Sequence, residues 1–152
     1  MADDRDEKKV PYESIKLEIV SKDGNIVFSE DVAMANFPGE AGFFTVLPGH
    51  TPFLSSLKVG EIKFKKNEAD EKYVFATVIG GFCEVTDEQI NVITNASEIA
   101  DSIDVERAQE SKKRAEDRLR ARGEDIDIAR AEAALQRSLI RLSVLNSYNH
   151  QN

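Results

Sequence analysis

No stretch of this chain approaches the roughly 20 consecutive apolar residues that a membrane-crossing helix requires, so none is expected. The first nine residues, Met1 to Lys9, contain no apolar core and carry several acids. They read as neither a secretory signal nor a transit peptide. Cysteine is nearly missing. Cys83 stands alone, which excludes an internal disulfide, fits a reducing compartment, and reads as a small buried core residue. There is no P-loop, no paired metal-ligand spacing, and no Cys–His pair with an orienting acid. Neither a catalytic residue nor a metal site is therefore expected. His50 lacks the nucleophile and second acid that a catalytic role needs, and reads as a histidine that orients its loop. A surplus of base is missing too. The net charge is −8, and from residue 101 onward ten acids balance ten bases, so the whole deficit falls on residues 1–100. Nucleic acid is not expected as a partner, because phosphate contacts need excess Lys and Arg.

The chain changes character near residue 100. Proline is absent after Pro52, all eight phenylalanines lie between Phe28 and Phe82, and seven of eight glycines lie at or before Gly81. Short strands punctuated by Gly and Pro turns are the expected result. Ile15, Leu17 and Ile19 alternate with Lys16 and Glu18, as in a half-buried strand, and Ile62 and Phe64 repeat the pattern. Tyr73–Ile79 and Ile90–Thr94 are β-branched and aromatic runs. Lys22-Asp23-Gly24-Asn25 reads as a hairpin turn. The first dozen residues are polar and expected to be disordered.

Beyond Asn95 the spacing is helical. Val105, Ala108, Lys112, Ala115 and Leu119 recur every three or four residues, and so do Ile128, Ala131, Leu135, Leu139, Leu142 and Leu145. Gly123 separates the two runs, and Asp104 and Asp127 stand at N-cap positions. The fold class is α+β: an N-terminal antiparallel β-sandwich followed by a C-terminal antiparallel two-helix hairpin, with helices of about five turns each. Residues 1–13 are expected as a flexible extension, 14–98 as the sandwich, 99–148 as the hairpin, and 149–152 as a tail in which His150 is frayed. The first helix offers mostly alanine and a lysine to its seam. At about 25 cal/mol per Å² of apolar area, so thin a seam barely offsets the entropy of ordering the helices. The hairpin therefore needs a third surface, and reads as a movable element.

Arginine and lysine segregate. Apart from Arg5, every arginine lies at or after Arg107, where lysine is represented only by Lys112 and Lys113. Arginine presents a planar fork matched to carboxylates and phosphates. Folding the chain back near Gly123 sets Arg107 level with Arg141 and Arg114 near Arg137, so four guanidinium groups are expected along one side. Two uses fit them: a solvated face with pairs such as Glu110 and Arg114, or a site for an anion or an acidic partner. Ile103-Asp104-Val105-Glu106-Arg107-Ala108 is echoed by Ile126-Asp127-Ile128-Ala129-Arg130-Ala131, each a staple, a cap and a first turn.

Leu47-Pro48-Gly49-His50-Thr51-Pro52, Leu57-Lys58-Val59-Gly60 and Gly80-Gly81-Phe82-Cys83-Glu84-Val85 follow one another in fixed order. With the Ile103–Ala108 motif and a hairpin ending Arg141-Leu142-Ser143-Val144-Leu145, they resemble the epsilon-subunit family of bacterial-type rotary ATP synthases over residues 14 to 146. The resemblance implies a non-catalytic subunit of the central stalk whose sandwich binds the gamma subunit and the c-ring. It would turn with the rotor, couple proton or sodium flow to ATP synthesis, and sit peripherally on the cytoplasmic face of the inner membrane through the complex alone. The hairpin is implied to be a switch. Folded on the sandwich it permits ATP hydrolysis. Extended along gamma it blocks hydrolysis, with Arg114, Arg118, Arg122 and Arg130 facing acidic segments of the alpha and beta subunits. ATP, a regulatory ligand rather than a required cofactor, would rest on Glu98, Ile103, Asp104, Arg107, Ala108, Arg114, Arg137 and Arg141. Phe43 and His50 fall in the rotor-contact loop. There, Gly42-Phe43-Phe44-Thr45-Val46-Leu47 replaces the Gly-Glu-Leu-Gly-x-Leu that relatives often carry. Set against this stands a free-standing β-sandwich module whose helical finger enters another enzyme.

Overall fold

The computed structural model describes residues 13–121 and 123–152. Residues 1–12 of the expected extension, and Arg122, lie outside the described residues. Nine strands come first: β1 (Ile15–Ser21), β2 (Ile26–Val32), β3 (Met34–Gly39), β4 (Gly42–Val46), β5 (Phe53–Leu57), β6 (Gly60–Lys65), β7 (Val74–Val78), β8 (Gly81–Val85) and β9 (Gln89–Thr94). A single 3₁₀ turn (Ala100–Ser102) leads to helices α1 (Val105–Ala121) and α2 (Ile128–His150).

The alternation in β1 places Ile15, Leu17 and Ile19 in the core, and that in β6 does the same for Ile62 and Phe64. At the β1–β2 turn Gly24 has a φ of 85°, and its N–H donates to the Ser21 carbonyl at 2.8 Å. The Asp23 carboxylate accepts from the Ser21 hydroxyl and from Asn25, which holds it below the usual carboxylate range. The strands are ordered β2-β1-β9-β8-β5-β3-β6-β7, with β4 paired to β3. Neighbours are antiparallel except β1 and β9, which run parallel. The sheet folds over on itself. The Phe28 and Phe64 rings lie 4.5 Å apart, and Lys66 meets Glu30 at 2.7 Å. Phe37, Phe64, Leu17, Ile19, Ile62 and Ile90 fill the interior. Cys83 lies there as well, its thiol pushed up to about 12 by burial. Gly81 is obligatory on two counts: its φ is 113°, and a Cβ would fall 2.0 Å from the Ile93 carbonyl oxygen.

Asp104 caps α1 by accepting from the Arg107 N–H at 3.0 Å, and Asp127 caps α2 by accepting from Arg130 N–H at 3.0 Å. The helices have 17 and 23 residues, so the second exceeds the expected five turns. The seam is narrower than the apolar spacing suggests. Ala108, Ala115, Ala131 and Ser138 are buried, whereas Val105, Ile128 and Leu139 are 44–53% exposed. Ser138 stands where Leu139 was expected. Its hydroxyl donates to the Ala134 carbonyl at 3.0 Å, which satisfies it there.

The third surface is the sandwich. Phe75 on the outer side of β7 joins Ala100, Ile103, Val144 and Leu145 in a second apolar cluster, with Tyr73, Ile140 and Tyr148 packed against it. The tail expected to fray does not. Helix α2 continues to His150, whose Nδ1 meets the Asn146 carbonyl at 2.7 Å. Gln151 is hydrogen-bonded to the main chain of Tyr73.

Candidate functional site

Where the chain leaves the sandwich it runs beside β7. The Thr77 N–H donates to the Glu98 carbonyl at 2.9 Å, and the Glu98 N–H donates to the Thr77 hydroxyl at 3.0 Å. These bonds hold Glu98 so that its carboxylate reaches α2. There it takes both prongs of Arg141, Nε to Oε2 and Nη2 to Oε1, each at 2.8 Å. The paired hydrogen bonds raise the guanidinium pKa above its ordinary value, against the opposing effect of burial.

Beside this pair lies a cavity of about 240 Å³ lined by Glu98, Ser102, Ile103, Asp104, Arg107, Ala108, Ser111 and Arg141. The Ile103–Ala108 motif builds one wall, and each residue has a separate task. Ile103 is buried in the second cluster, Asp104 caps the helix, Ala108 closes the seam, and Arg107 is left exposed at the rim. Six residues expected to form a nucleotide site (Glu98, Ile103, Asp104, Arg107, Ala108 and Arg141) thus meet at one cavity. Arg114 and Arg137 do not line it. Arg114 donates to the Ser111 hydroxyl at 3.1 Å, one turn back, rather than to Glu110 as the four-residue spacing suggests. The four-fold convergence of guanidinium groups is two-fold in this arrangement. Ser102 and Ser111 line the cavity too, and nothing in their sequence context marks them. The cavity has walls on both the hairpin and the exit segment.

Arg118 and Arg130 sit together at the far end of the hairpin, around a groove shared with Asp125 and Asp127. On the sandwich, Phe43 is 68% exposed, and Lys58 Nζ lies 5.5 Å from its ring centroid. The His50 Nδ1 faces the Thr51 carbonyl at 2.6 Å, with its ring edge-on to Phe53. Phe53 leans on Phe44 and Phe44 on the buried Phe37, so an aromatic ladder runs from the core to this loop. Leu54, Phe82 and Ile93 are each more than half exposed on paired strands β5, β8 and β9. Such an apolar face on an acidic domain is the usual mark of a protein interface. No described helix is long and apolar enough to cross a membrane.

Comparison with known proteins agrees with this architecture half by half. Residues 14–100 match the family model of the ATP synthase delta/epsilon chain β-sandwich domain, and residues 101–146 match that of its long α-helix domain. The ATP synthase epsilon chain of Bacillus velezensis is 46% identical over 131 residues, covering 86% of this chain and 96% of the relative. That of Nitratidesulfovibrio vulgaris is 47% identical over 131 residues, covering 86% and 95%. Among solved structures, a chain of the Euglena gracilis mitochondrial ATP synthase superposes with a TM-score of 0.62 at 20% identity. The match covers 94% of this chain and 84% of that one. A chain of the Tetrahymena thermophila mitochondrial ATP synthase central stalk and c-ring gives 0.53 at 11% identity, over 86% and 96%. At such identities the likeness is one of fold. The sequence matches reach further, and by them this chain belongs to the delta/epsilon family of ATP synthases, alongside its epsilon chains.

Proposed function

We propose that this chain is a non-catalytic subunit of the central stalk of a rotary ATP synthase, and that its hairpin is a nucleotide-sensing switch. The sandwich is the fixed part. Its exposed Leu54, Phe82 and Ile93, together with the Phe43 and His50 loop, suit contact with gamma and the c-ring, which would hold it at the cytoplasmic face of the membrane. In that position it turns with the rotor that couples proton or sodium flow to ATP synthesis. The hairpin is the moving part. Swung away from β7, it would carry Arg114, Arg118, Arg122 and Arg130 toward acidic segments of the alpha and beta subunits and obstruct ATP hydrolysis.

The observation that carries this reading is the cavity between the hairpin and the exit segment. A ligand there touches both halves at once, so it binds the folded hairpin and not the extended one. ATP fits the chemistry: Arg107 and Arg141 offer charged donors to phosphate, and the backbone at Ile103 and Asp104 borders the same space for the base. Arg114, bonded to the cavity-lining Ser111, and Arg137 would reach the phosphates by rotamer change. Selective binding stabilises the folded form by RT ln(1 + [L]/Kd), about 2.7 kcal/mol at a hundredfold excess over Kd. Isothermal titration of the full chain with ATP is expected to show binding that Arg107→Ala weakens at least tenfold. An absence of heat at millimolar ATP would remove the sensing role.

A further inference from the structure

The end of α2 meets the residues that lead into β7 by an unusual contact. The Gln151 carboxamide grips the main chain of Tyr73 from both sides: the Tyr73 N–H donates to Oε1 at 2.8 Å, and Nε2 donates to the Tyr73 carbonyl at 2.6 Å. One strand residue offers another this same pair of bonds, here supplied by a side chain. Lys72 Nζ donates to Asn152 Oδ1 at 2.6 Å, and Asn152 Nδ2 donates back to the Tyr148 carbonyl at 2.8 Å, closing the helix end. Tyr148 itself packs against the second apolar cluster.

The residue being gripped is held firmly from other directions. Lys63 and Lys65 place their ammonium groups 5.2 and 4.8 Å from the Tyr73 ring centroid, and the ring lies 6.3 Å from that of Phe75. Gln151 therefore anchors to the residue that leads into β7, whose ring is packed against the sandwich by Lys63, Lys65 and Phe75. Residues 147–152 also lie outside the stretch matched by the family's helical domain. The hairpin seam is made of alanine and serine, so contacts at this end weigh heavily in the balance between folded and extended positions.

We propose that Tyr148, Gln151 and Asn152 form a latch that holds the hairpin down on β7 and sets the ratio of folded to extended hairpin. The latch rests on the reading of the hairpin as a moving element. It acts where α2 ends, away from the cavity at Glu98 and Arg141, so its effect adds to that of bound nucleotide.

The test uses the full chain with fluorophores at Lys22→Cys and Glu124→Cys, one on the β1–β2 turn and one at the hairpin tip. Cys83 is fully buried and takes no label in the folded chain. Transfer efficiency is read with and without millimolar ATP, alongside amide hydrogen exchange at Tyr73. Gln151→Ala is expected to raise the extended-to-folded ratio about tenfold, equivalent to about 1.4 kcal/mol, and to speed exchange at the Tyr73 amide. Gln151→Glu keeps the size but turns an acceptor on the Tyr73 carbonyl, and is expected to open the hairpin at least as far. An unchanged ratio in both variants, with ATP still closing the hairpin, overturns the latch and leaves the switch standing. A hairpin that stays folded in every chain, nucleotide present or not, overturns both.

Discussion

The sandwich buries Phe37, Phe64, Leu17, Ile62 and Ile90 with essentially no exposure, whereas the hairpin closes on Ala108, Ala115, Ala131 and Ser138. Large branched and aromatic side chains bring about 1.5–3 kcal/mol each when fully buried. An alanine brings a fraction of that. The first region is stable through its own interior, and the second borrows stability from whatever lies beside it. Here that neighbour is β7, through Phe75, Val144 and Leu145, with the Glu98–Arg141 pair and the Gln151 contact at either end. The contrast between a self-sufficient core and a hairpin that depends on its neighbour is therefore written in the sizes of the buried side chains.

The contrast can be broken most directly in the sandwich. Phe64→Ala removes a ring from the centre of the fold and is expected to cost about 3–5 kcal/mol, read from the midpoint of chemical unfolding. Because the hairpin docks on β7, its helical signal should be lost in the same transition. A smaller effect is expected at the docking face. Val144→Ala should weaken docking by roughly 2 kcal/mol, seen as faster amide exchange along Ser138–Ser147. The sandwich should be unmoved, so the unfolding midpoint of its strands stays put. A midpoint falling in step with the exchange would show one cooperative unit instead of two.

Cys83 gives the finest probe, since it reports opening of the sandwich and is blind to the hairpin. At pH 8 its modification by a thiol reagent should wait on global unfolding, and Val144→Ala should not accelerate it. The pH dependence has a definite sign. The thiol is raised from 9.0 to about 12 in the fold, so its neutral form is favoured there. The stability it confers is whole below about 9 and declines as pH climbs toward about 12. Denaturant midpoints taken across that window should fall on the alkaline side, whereas Cys83→Ala should flatten the decline.

Much of this was legible in the residues. The alternation at Ile15–Ile19 and Ile62–Phe64, the turn at Lys22–Asn25, and the caps Asp104 and Asp127 all rest on neighbours a few positions apart. The β-branched and aromatic run Tyr73–Ile79 was likewise readable as a strand, and within it lies β7. Its outer face holds Phe75, and the hairpin lies on it. Other features were hidden for lack of a local cause. The parallel pairing of β1 with β9 joins residues about seventy positions apart. Ser138 took the seam in place of Leu139 because α2 must serve two neighbours at once, α1 and the sandwich. Arg114 and Arg137 shared a helical face with the cavity residues by spacing, yet neither lines the cavity, and Arg114 bonds Ser111 instead.

The chain alone decided which half would be sheet and which helix, where each helix would start, and that the seam between the helices would be built of small side chains. Those outcomes follow from periodicity, capping and side-chain volume, which act over a turn or a strand. Only the tertiary structure decided that Glu98 would take Arg141, that Gln151 would clasp Tyr73, and that Ser102 and Ser111 would face the same cavity as Arg107. Such contacts join residues whose distance is set by the packing of whole elements, and no local pattern carries that information.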